Sequence, residues 1–166
     1  MSSSNRLYLF DTTLRDGAQT QGVDFSVADK AAIARELDLL GIDYIEGGWP
    51  GANPTDDRFF AELPEFRNAR FVAFGMTRRA GRSAANDPGL NAILQTKARN
   101  VCMVGKTWDF HVDVALELGR DEYLEMIGDS LAYAKTRMDE VMFDAEHFFD
   151  GYKANRDYAL AAIDEA

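Results

Sequence analysis

The chain has 166 residues, 46% of them apolar, and a formal net charge of −10. That length and apolar share suit one packed domain or a part of one. The acidic balance excludes nonspecific binding to nucleic acid or to an anionic membrane, since both would repel it.

Met1 to Asn5 is short and polar, and neither a basic-then-apolar leader nor an apolar run of spanning length follows, so the chain reads as cytoplasmic. Leu7 to Phe10 predicts a short buried strand, which ends in the string Asp11–Gln19, Asp-Thr-Thr-Leu-Arg-Asp-Gly-Ala-Gln. Ser26 caps a helix whose apolar positions Val27, Ala31, Ile33, Ala34, Leu37 and Leu40 recur at helical spacing, and Gly41 ends it. A second strand, Ile42 to Glu46, runs into Gly47–Pro54, where Gly and Pro predict a loop, and a short helix follows through Phe59, Phe60 and Leu63. Arg70 to Met76 is the third strand, with a basic loop Thr77–Arg82 and a helix from Pro88 to Lys97 behind it. Asn100 to Val104 is the fourth strand. Its lone cysteine, Cys102, has no internal disulfide partner and reads as a core residue in a reducing compartment. Helical pattern runs from Phe110 to Met138 with a break at Gly119, Glu140 to Ala145 is the fifth strand, and Ala154 to Ala166 is again helical.

Strands alternating with helices imply parallel strands joined by right-handed crossovers. An open doubly wound sheet should carry a Gly-rich phosphate loop, which Gly47-Gly48-Trp49-Pro50-Gly51 does not match. A barrel instead puts polar residues at the carboxyl end of each strand, as this chain does at Arg15 and Asp16, Glu46, Thr77 and Arg78, Lys106, and Glu146 and His147. The expected fold is α/β, about the first five βα units of a (β/α)8 TIM barrel. A complete barrel takes about 250 residues, so residues 1–166 are expected to be the N-terminal part of such a catalytic domain, with the later strands and any regulatory domain absent. Unpaired edge strands then favour a homodimer.

At the end of the first strand, Arg15 offers a fork of donors for a carboxylate or an oxyanion, and Asp16 an oxygen for a hard cation. Any one Arg-Asp pair after a strand is most often a solvated turn. The whole string Asp11–Gln19, however, resembles the signature of the acyl-CoA Claisen-condensing and cleaving barrels: citramalate, 2-isopropylmalate and homocitrate synthases and the 3-hydroxy-3-methylglutaryl-CoA lyases. Trp49–Asp56, Gly105–Val112 and Glu140–Asn155 are similar to the citramalate synthase branch. The resemblance implies a metal-dependent acyltransferase that condenses acetyl-CoA with a 2-keto acid, pyruvate giving (R)-citramalate, with 2-isopropylmalate or homocitrate synthesis as the alternative. It implies that Arg15 stabilises the enolate and orients the keto acid, that Asp16 ligates a divalent cation (Mg2+, Mn2+ or Zn2+), that Glu146 positions substrate, and that Glu46 is a second acid/base. Gln19 and Thr77 join Arg15 and Glu146 as expected substrate contacts.

The family's remaining metal ligands come from a His-x-His pair, which this sequence lacks. One carboxylate is a poor cage for Mg2+ or Mn2+, so this chain alone is expected to bind metal weakly and turn over little. The two histidines, His111 and His147, lack ligand spacing and read as polar or satisfied positions. Arg78, Arg79 and Arg82 either receive CoA phosphates or are solvated, and Trp108 either stacks on a ligand or packs. Phe74, Met103 and Phe143 would narrow the keto-acid pocket if all three faced inward. A reading of another class makes the half-barrel a non-catalytic assembly or binding module.

Overall fold

The computed structural model describes residues 6–166. Its centre is one parallel sheet of five strands in chain order, β1 (Phe10–Asp11), β2 (Tyr44–Gly48), β3 (Arg70–Met76), β4 (Asn100–Lys106) and β5 (Glu140–Glu146). Unreversed strand order with right-handed crossovers puts all the helices on one face, which is the winding of a barrel and not of a doubly wound sheet. The helices are α1 (Val27–Leu40), α2 (Pro54–Ala61), α3 (Pro88–Leu94), α4 (Arg120–Lys135), α5 (Phe148–Ala154) and α6 (Arg156–Asp164).

Local chemistry starts each helix. Ser26 and Asp29 form a reciprocal capping box on α1, and Gly41 ends that helix at φ 87°. Asn53, Asp87 and Asn155 cap α2, α3 and α6, the first two followed by a proline in the first turn. Alternation along the strands divides the sheet. Ile45, Phe71, Ala73, Val101 and Met103 pack against the helices in the main core. Their neighbours, including Glu46, Phe74, Cys102 and Asp144, point to the opposite, inner face. At the amino-terminal end of that face, Arg70 donates to the Tyr44 hydroxyl (2.8 Å) and to Glu140 (2.9 Å), and Tyr44 donates to Glu140 (3.0 Å), bracing β2, β3 and β5.

Several expectations need correction. The first strand is not buried: Leu7, Tyr8, Leu9 and Phe10 are 80, 55, 49 and 40% exposed, because β1 is an edge with a neighbour on one side only. Gly47 and Gly48 belong to β2 rather than to a loop. A Cβ on Gly47 would lie 1.9 Å from the Phe71 ring, so glycine is there for packing. On α1 the expected Val27, Ala31, Ile33, Ala34 and Leu37 do pack on the core, but Leu40 is 76% exposed and the charged Lys30 and Asp38 are buried with Ala34. The helical pattern from Phe110 does break at Gly119, the N-cap of α4, but its first part is a π-helical turn, His111–Leu116, closed by Glu117 at φ 54°. The last helix, expected from Ala154, is α6, capped by Asn155, and α5 before it was not expected.

Candidate active site

The string after β1 folds as a tight turn. The Asp11 carboxylate accepts from the Thr13 amide (2.9 Å) and hydroxyl (3.0 Å), while the Thr12 carbonyl accepts from the amides of Arg15 and Gly17 (3.1 Å each). Leu14, with no exposed surface, pins the turn into the core, and the next side chain, Arg15, reaches the inner face. Arg15 Nε donates to Glu46 Oε2 at 2.7 Å, Nη1 donates to Asp16 Oδ1 at 3.1 Å, and the guanidinium lies 4.0 Å over the Phe74 ring. Two of the five guanidinium N–H groups are used in this way, which leaves three without a partner among the described residues. Glu46 is 1% exposed, whereas the Asp16 side chain is 63% exposed.

Burial raises the Glu46 pKa, and the hydrogen bond and charge of Arg15 only partly offset it. Asp144, on the inner face of β5, is also raised, first by burial and further by the nearby Glu146 and Asp16 carboxylates, against the pull of Arg15 and Lys106. Cys102 belongs to this inner face, not to the helix-side core, and burial with the Glu46 and Asp144 charges pushes its thiol up to about 12. Lys106 and Glu146, paired in register at the carboxyl ends of β4 and β5, form an ion pair. The Lys106 backbone is held by Tyr123 and Tyr158 hydroxyls at 3.0 Å each.

Arg15, Asp16 and Glu46 are therefore in direct contact, with Asp144 close enough to feel Arg15, Asp16 and Glu146. Gln19 lies apart from that contact, in an adjoining cavity of about 390 Å³ lined also by Arg15, Trp49 and Asn53. Thr77 is buried and lines a different cavity, about 340 Å³, between α3 and α4. Of Phe74, Met103 and Phe143 only Phe74 faces inward, since Met103 and Phe143 pack towards the helices. Arg78 is 7% exposed, bonded to Asp129 (2.9 Å) and to the Arg82 carbonyl (2.9 Å), so it ties its loop to α4, while Arg79 and Arg82 remain exposed. Trp108 packs against His111, with centroids 5.0 Å apart, and His111 meets His147 edge-on at 4.7 Å. His111 is not a satisfied position, as its buried Nδ1 has no hydrogen-bond partner. Sequence reasoning missed Asp144, whose signal was the polar alternation Glu140, Asp144, Glu146 along β5.

Among the described residues no group of three or more His, Cys, Asp or Glu side chains is placed to hold a metal ion. Asp16 contributes one exposed carboxylate, already bonded to Arg15, so these residues do not make a cation cage.

The profile of the family described as HMGL-like matches residues 6–164. The chain belongs to the HMGL-like family. Among curated HMGL-like relatives, the (R)-citramalate synthase of Aquifex aeolicus (strain VF5) is 48% identical over 98% of this chain and 31% of its own length. That of Synechocystis sp. (strain ATCC 27184 / PCC 6803 / Kazusa) is 52% identical over 95% of this chain and 29% of its own. Proteins named 2-isopropylmalate synthase match at 30 and 33%. The solved HMG-CoA lyase of Bacillus subtilis shares the fold, with a TM-score of 0.66 and 13% identity over 97% of this chain and 55% of the lyase. The HMGL-like chain thus spans about a third of the length of the curated relatives it matches.

Proposed function

We propose that the inner face of this sheet serves the condensation of acetyl-CoA with pyruvate to (R)-citramalate, an acyl transfer in which the acetyl group becomes an alkyl group. The observation that carries the reading is Arg15, fixed on buried Glu46 with three donors left over, in a family whose relatives at 48 and 52% identity are named for that product. The chemistry fits these side chains. A carboxylate removes a proton from the acetyl methyl group, the resulting carbon bonds to the keto carbon, and the keto oxygen gains a proton. Water then splits the thioester and releases the CoA thiol. Arg15 faces the oxygen on which negative charge develops, with donors already fixed by Glu46. Glu46, with its raised pKa, holds or accepts a proton beside that oxygen, and Glu146 with Lys106 orients the keto acid. Gln19 contacts substrate from the adjoining cavity. When bound, a divalent cation would polarise the keto carbonyl, and Asp16 would be this chain's ligand to it.

The test joins this chain to the part of the Aquifex aeolicus (R)-citramalate synthase beyond the matched segment and measures CoA thiol release with Mn2+. Release with pyruvate, lost in Arg15→Ala, is the expected result. Faster release with 2-oxoisovalerate or 2-oxoglutarate would move the substrate assignment. No release with any acid, while the parent Aquifex protein is active, would reject the reading.

A further inference from the structure

Lys30 is a buried charge that the proposed chemistry does not use. It stands on α1, 3% exposed, and its ammonium donates to the Leu14 carbonyl at 2.8 Å and to the Gly47 carbonyl at 3.0 Å. Its third partner is Asp56 of α2, itself 6% exposed. Leu14 immediately precedes Arg15, and Gly47 immediately follows Glu46. One ammonium therefore grips the backbone beside each member of the pair on the inner face. Asp56 completes the clamp from the other side. It accepts from the Trp49 amide (2.8 Å) and the Asn53 amide side chain (2.9 Å), and a Cβ on Gly48 would lie 2.5 Å from its carboxyl carbon.

Burying an ion pair rarely adds net stability, because desolvating both charges offsets their attraction, and an apolar pair of similar volume would pack as well. What an apolar pair lacks is the ability to bind two carbonyls from separate segments. We infer that Lys30, held by Asp56, is a positioning residue that fixes the Arg15–Glu46 geometry through the Leu14 and Gly47 carbonyls. Its consequence for catalysis rests on the function proposed above, but the geometric claim does not.

The first readout therefore needs no activity. In the 15N-arginine-labelled chain, the Arg15 Nε–H, identified by its loss in Arg15→Lys, should be protected from solvent exchange by Glu46. The double variant Lys30→Met with Asp56→Asn leaves no buried charge unpaired, and should speed that exchange about tenfold while far-UV circular dichroism stays unchanged. Unchanged exchange in the folded double variant overturns the inference. If the double variant does not fold, Lys30→Gln with Asp56→Asn decides: it keeps a donor too short to span both carbonyls and no unpaired charge, and should speed exchange about threefold, with no change overturning the inference. In the fusion protein the double variant should lower kcat about tenfold with the acetyl-CoA KM kept within about threefold, as a misplaced reacting group does. An unchanged kcat counts against the clamp. A fusion inactive before substitution rejects the functional reading and leaves the exchange result to decide this one.

Discussion

At Glu46 and Asp144 two effects oppose each other, and burial prevails over the attraction of Arg15. A carboxyl whose pKa rises on folding stabilises the fold below its unfolded value, about 3.9 for Asp, and that contribution is lost as pH rises through the folded value. Asp144→Asn removes this term. The variant should therefore be more stable than the parent at pH 7, with the gap closing as the pH falls towards about 4. Urea midpoints across that range check it, and a gap that widens on acidification would reject the assignment. Arg15, Asp16 and Glu46 were readable through the resemblance of their strand-end segments to the Claisen-condensing barrels, because alone an Arg-Asp pair after a strand is most often a solvated turn. Asp144 was harder to see. It lies inside a strand, so its facing depends on the phase of an alternation that Met142 interrupts.

Among the elements, α1 shows how a helix can hide its function from a hydrophobicity pattern. Its apolar stripe from Val27 to Leu37 does pack on the core, yet two of its three most buried positions, Lys30 and Asp38, are charged. Both charged members bind backbone, which no apolar period can reveal. Asp38 is the joint between α1 and the approach to β3, accepting from the amides of Arg67 (3.0 Å), Asn68 (2.8 Å) and Ala69 (2.7 Å). Burial alone would raise its pKa, and the three amide bonds outweigh it, so the carboxyl is held below its usual value. Asp38→Ala leaves those donors without their acceptor and should cost about 3 kcal/mol. A urea midpoint within error of the parent would show that water replaces the carboxylate. Strands β3 and β4 were legible to within two residues, since apolar runs between turns leave little choice, and β5 to within one despite its alternating carboxylates. The ends of β1 and β2 were not. Tertiary packing decides them, through an edge with one partner and a glycine pressed against Phe71.

For the whole molecule, element order made the parallel winding legible and the polar strand ends, with no Gly-rich phosphate loop, pointed to a barrel, while the inner face depends on side chains no single segment contains. The described structure leaves β1 open along Leu7 to Phe10 and β5 only partly covered. Such edges pair readily with another chain. The 166-residue chain should therefore run above the mass of one copy in light scattering, and Leu9→Lys should shift it towards a single copy. A parent chain that is monomeric at all concentrations would contradict this.

The brace of Tyr44, Arg70 and Glu140 also bears on how the chain is made. Tyr44 and Glu140 are separated by 96 positions, so a polypeptide leaving the ribosome can present β1 to β4 well before the carboxylate that ties them across the inner face. Contacts over such distances along the chain are slow to close. Until β5 arrives, Arg70 has only the Tyr44 hydroxyl of this brace to bind, so the tie to Glu140 forms last.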